Sequence, residues 1–92
     1  MNIVNESNMD ASWWCYNSND ASHIIELKYG MIKSGGSASY DPPSNGTGRY
    51  YVRFNKEPGG GTSKGRLGSG ELPASGTIVL KGSDYPYTVE VS

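Results

Sequence analysis

Arg49-Tyr50-Tyr51-Val52-Arg53-Phe54-Asn55 alternates without a break. Tyr50, Val52 and Phe54 fall on one side, and Arg49, Tyr51, Arg53 and Asn55 on the other. A period of two is the signature of a strand with one face on a core and one face turned away. The residue types agree, because aromatic and β-branched side chains suit a pleated surface. On its N-terminal side lies Asp41-Pro42-Pro43-Ser44-Asn45-Gly46-Thr47-Gly48, an irregular loop in which two prolines remove donors and Asn45-Gly46 is a turn dipeptide. On the other side 57–75 is rich in glycine, and reads as a long loop or as two weak strands around Gly65-Arg66-Leu67. Further strands are expected over Asn2–Glu6, Ser12–Asn17, Ser22–Tyr29, Gly76–Lys81 and Tyr87–Ser92, with a short edge strand at Ser37–Tyr40. About six strands joined by long Gly/Ser/Pro loops predict an all-β domain over 1–92, a small antiparallel β-sandwich or barrel.

The 92-residue chain is short for a well-stabilised core. A single cysteine excludes an intrachain disulfide, and one Cys with one His does not suit a structural zinc site, so no metal or other cofactor is expected. Stability then rests on packing, and a homodimer would cover exposed sheet edges. The net charge of -1 offers no basic field for nucleic acid. No apolar run is long enough for a transmembrane segment. The opening Met1-Asn2-Ile3-Val4-Asn5-Glu6 lacks the basic start and apolar stretch of a signal peptide, so a cytoplasmic location is expected.

Ser12-Trp13-Trp14-Cys15-Tyr16-Asn17 carries both tryptophans and the only cysteine. Free cysteine is among the most buried residue types, which assigns Trp13 and Cys15 to the core and turns Trp14 and Tyr16 outward as an exposed platform. The following Asn17-Ser18-Asn19-Asp20 is a dense turn signal. Catalysis is not expected. Cys15 and His23 read as a buried thiol and a surface imidazole, not as a nucleophile pair. Asp20, Asp41 and Asp84 sit in turn sequences with no spacing that singles out an acid pair. The run Gly59-Gly60-Gly61-Thr62-Ser63-Lys64-Gly65 lacks phosphate-loop spacing and a following helix.

Sugar recognition fits these residues better. A sugar ring has an apolar C–H face that a flat aromatic ring can bury, and a rim of hydroxyls that need fixed polar partners. Trp14 and Tyr16 supply the rings, and Asn19, Asp20 and His23 a polar rim. Asp41, Asn45 and Arg49 supply a second wall from the proline loop. With Trp14 exposed, Trp14→Ala should abolish binding at little cost in stability. The runner-up is a membrane-lipid-binding or protein-interaction β-sandwich, with Trp14 and Tyr16 at a headgroup interface.

Four blocks carry a resemblance: Asn2-Ile3-Val4-Asn5-Glu6-Ser7-Asn8-Met9, Trp13-Trp14-Cys15-Tyr16-Asn17-Ser18-Asn19-Asp20, Tyr40-Asp41-Pro42-Pro43-Ser44-Asn45-Gly46 and Arg49-Tyr50-Tyr51-Val52-Arg53-Phe54. In size, composition and motif character the chain resembles the small α-galactosyl-binding mushroom lectins of the Lyophyllum decastes type. The resemblance implies a cytosolic, unglycosylated, dimeric lectin for terminal α-galactosides that serves defence. It carries no residue roles with it.

Overall fold

A computed structural model describes residues 1–20, 22, 25–56, 65–84 and 86–92. His23 and most of the glycine run 59–65 lie outside the described residues. The chain is all-β, and among the described residues there are eight strands: β1 (Asn2–Ser7), β2 (Ala11–Asn17), β3 (Lys28–Ile32), β4 (Ser37–Ser39), β5 (Arg49–Lys56), β6 (Arg66–Pro73), β7 (Thr77–Gly82) and β8 (Thr88–Val91). They form two four-stranded sheets, sheet I in the order β4-β1-β7-β8 and sheet II in the order β3-β2-β5-β6. All pairs are antiparallel except β1 with β7, which run parallel from Asn2↔Thr77 to Ser7↔Gly82. Among the described residues no helix is long and apolar enough to cross a membrane.

The inward faces of the two sheets close one core. Sheet I contributes Ile3, Ile78 and Leu80. Sheet II contributes Ala11, Trp13, Cys15, Tyr50, Val52, Phe54, Leu67 and Leu72. The alternation of 49–55 is thus realised as expected, with Tyr50, Val52 and Phe54 almost completely buried. Trp13 and Cys15 also point inward. Burial pushes the Cys15 thiol from its ordinary 9.0 up to about 11. The folded state therefore favours the neutral thiol, and this contribution to stability is complete below 9.0 and lost as the pH rises through about 11. Alkylation of native Cys15 at about pH 8 should proceed only at the rate of global unfolding, and at full speed in denaturant. Rapid single-site alkylation of the native protein would place Cys15 at the surface instead.

Two departures from the expected strands have physical causes. The expected strand Ser22–Tyr29 begins only at Lys28. Asp20 Oδ2 accepts the Ile25 N–H at 2.9 Å, so that backbone donor is met by a side chain, and the Leu27 N–H meets the Cys15 carbonyl at 2.8 Å just before the strand begins. Of the two readings of 57–75, the described part is a full strand, β6, whose inward positions include Gly68 and Gly70. A Cβ at Gly68 would lie 2.5 Å from Val89 Cγ2, and one at Gly70 2.8 Å from Val91 Cγ2. Missing side chains let β8 lie directly on β6 across the sandwich. Among the described residues the strand count is eight, not about six, because β4 and β6 both form.

Candidate functional site

β2 is central in sheet II, between β3 and β5. Its register sets Trp14 between Tyr29 and Arg53, and Tyr16 opposite Tyr51. These side chains all leave the sheet on the face away from the core. In a sandwich that face is ordinarily solvated and polar. Here it is a packed aromatic layer. The Trp14 and Tyr29 rings lie 4.9 Å apart and tilted, and the Tyr16 and Tyr51 rings 6.2 Å apart. The Arg53 guanidinium sits over Trp14 at 4.8 Å and over Tyr16 at 5.7 Å. Such contacts contribute about 0.5–2 kcal/mol each, more when desolvated.

This packing corrects the expected exposure of Trp14 and Tyr16. Alternation fixes the direction of the two side chains, and both do point away from the core. Their neighbours then cover them, leaving Trp14 only 7% exposed and Tyr16 4%. The ring that meets solvent is Tyr29, which is 43% exposed, with Ser12 Oγ 3.4 Å from its hydroxyl. Tyr51 is half-buried. Tyr29, Tyr51 and Arg53 carried no role in the sequence-based site. The signal for two of them was present, since Tyr51 and Arg53 stand on the polar side of 49–55.

The remaining expected site residues divide between the face and its margin. Arg49 lies on the outward row of β5 with Tyr51 and Arg53. Its Nε donates to Glu71 Oε1 at 3.3 Å and one terminal nitrogen to the Glu71 carbonyl at 3.3 Å, with both side chains about half exposed. The proline loop does come to the end of β2: Asn45 Nδ2 donates to Asn17 Oδ1 at 3.0 Å. Asn45 is otherwise occupied in shaping its own loop. Its Oδ1 accepts from the Thr47 N–H, the Thr47 hydroxyl and the Gly48 N–H, and its Nδ2 also donates to the Arg49 carbonyl. Those bonds make Asn45 a turn-builder beside the face, not a side chain free to meet a ligand. Asp20 is likewise engaged with Ile25, while Asn19 and Asp41 are exposed.

The charges of sheet II are uneven. Among the described residues its outward strand positions carry three arginines, Arg49, Arg53 and Arg66, and one carboxylate, Glu71. The opposite surface of the molecule, the outward face of sheet I, balances Lys81 against Glu6 at 3.8 Å and Glu90 at 3.0 Å. That face also has a shallow groove of about 460 Å³ between β4, β1 and β7, lined by Asn2, Val4, Ser37, Ala38, Ser39 and Thr77. It offers no aromatic ring. Among the described residues no group of three His, Cys, Asp or Glu side chains could hold a metal ion.

Comparison with family models, with curated proteins and with solved structures finds no match to this chain.

Proposed function

We propose that this chain is a non-catalytic carbohydrate-binding protein, a lectin, and that its glycan site is the outward face of sheet II. One observation carries this reading: a layer of four aromatic rings stands where a sandwich ordinarily presents solvated polar side chains. Tyr29 offers a sugar ring an apolar face and, at its edge, a hydroxyl. Trp14 and Tyr16 hold that platform rigid from below, so little conformational entropy is lost when a ligand docks. The resemblance to the mushroom α-galactosyl lectins supports terminal α-galactosides as the ligands, and defence as the purpose. A homodimer would join two shallow sites and raise avidity for a glycan-covered surface without any new contact. In a cytoplasmic setting Cys15 stays a free thiol.

A glycan array tests the reading, with galactosides expected among the bound ligands. Tyr29→Ala should weaken that binding about tenfold while lowering the melting temperature by only several degrees, far less than loss of the buried Trp14 would. A second reading, a lipid-headgroup binder, is favoured by the exposed Ile25 (70%) and Met31 (66%). Binding to vesicles that free galactoside leaves untouched, with an empty array, would establish that reading in place of the lectin.

A further inference from the structure

We propose that Arg53 is a ligand-binding residue that recognises a carboxylate on the sugar, so that the outward face of sheet II prefers uronic acids to their neutral counterparts. The proposal rests on the carbohydrate-binding reading above and adds the chemical class of the ligand. Arg53 is 9% exposed. A guanidinium so deeply covered is costly unless its charge and its donors are met. The rings of Trp14 and Tyr16 answer part of the charge through their π faces, but a ring face accepts no strong in-plane hydrogen bond. No ion pair joins Arg53 to a described residue, and its buried Nε–H has no acceptor among the described residues. Glu71, the one carboxylate on this face among the described residues, is engaged by Arg49. A planar donor fork, confined by aromatic rings and lacking an acceptor, matches a planar two-oxygen acceptor. On a sugar that group is the exocyclic carboxylate of a uronic acid. The excess of arginine over carboxylate on this face favours the same ligand, although the chain as a whole has a net charge of -1.

The test compares an α-linked galacturonic acid disaccharide with the matching α-linked galactose disaccharide, which differs only at the exocyclic carbon. Calorimetric titration of the wild-type protein should show the acidic disaccharide binding at least about tenfold more tightly. Arg53→Met, which keeps an apolar chain against Trp14, should bring that ratio close to one by weakening binding of the acidic disaccharide. Arg53→Lys, which keeps the charge and loses the fork, should retain only part of the preference. Equal wild-type affinities, or an undiminished preference in Arg53→Met, would overturn the proposal. Should Arg53→Met not fold, the wild-type ratio and Arg53→Lys decide it. Binding of both disaccharides without preference removes the role of Arg53 and leaves the lectin reading standing. Binding of neither removes both.

Discussion

Trp14→Ala should lower the unfolding free energy by about 3–5 kcal/mol, the range found when a buried large aromatic is truncated. In a chain of this length, whose whole stability is of the order of 5–14 kcal/mol, that is a large fraction. The sequence by itself pointed the other way, to an exposed ring whose loss would cost binding and little else. The difference lies in what covers the outward face. Trp14 is stacked against Tyr29 at 4.9 Å and beneath Arg53 at 4.8 Å, on a central strand with neighbours on both sides. Alanine there leaves a cavity beneath the guanidinium and strips Tyr29 of its support. Urea melts check this: the midpoint should fall sharply with an unchanged slope. A loss below about 1 kcal/mol would return Trp14 to the solvent-facing role.

Asn5→Ala should be comparably damaging, at about 3–4 kcal/mol, although asparagine is a polar residue in a β1 strand. Asn5 is fully buried. Its Nδ2 donates to the Ile32 carbonyl at 3.0 Å and the Met9 carbonyl at 2.9 Å, and its Oδ1 accepts from the Ser7 N–H and hydroxyl. Ile32 belongs to sheet II and Asn5 to sheet I, so one amide side chain ties the sheets together and closes the Asn8–Asp10 turn. Truncation takes this partner from the Ile32 carbonyl and the Ser7 N–H, while the Ser7 hydroxyl and the Met9 carbonyl keep each other, and a buried group left unsatisfied costs about 1–3 kcal/mol, less where water can enter. Asn5→Asp should also destabilise strongly near neutral pH, because it replaces the donor that faces two carbonyls with a buried anion. Thermal melts of both variants measure the effect. A melting temperature within a few degrees of wild type for Asn5→Ala would show that this network is dispensable.

Strand positions were legible over Arg49–Asn55 and Ser12–Asn17, where alternation is carried by side chains, but not over Ser22–Tyr29, where the strand begins only at Lys28. Arg49–Asn55 became β5 with its three apolar residues inside, and Cys15 sorted the faces of β2 correctly. β6 was harder to read because Gly68 and Gly70 write no pattern. Their reason lies on another strand, in Val89 and Val91. The candidate site suffered from a related gap. A period of two says which way Trp14 and Tyr16 point, but not which residues stand beside them. The β2–β5 register brings Arg53 to Trp14 and Tyr51 to Tyr16 across more than thirty residues of chain. Asn45 was singled out as a binding residue because asparagine also hydrogen-bonds sugars. The same donors and acceptors are spent on its own loop and on Asn17.

The central claim is that the outward face of sheet II, and no other surface, meets the glycan. Amide and side-chain chemical shifts followed during a galactoside titration test it most directly. Shifts should be confined to that face, including the Trp14 indole N–H, the ring of Tyr29, and the backbone of Tyr51 and Arg53. Shifts centred on Asn2, Ser37, Ser39 and Thr77 in the groove of sheet I, with the aromatic face unmoved, would contradict it.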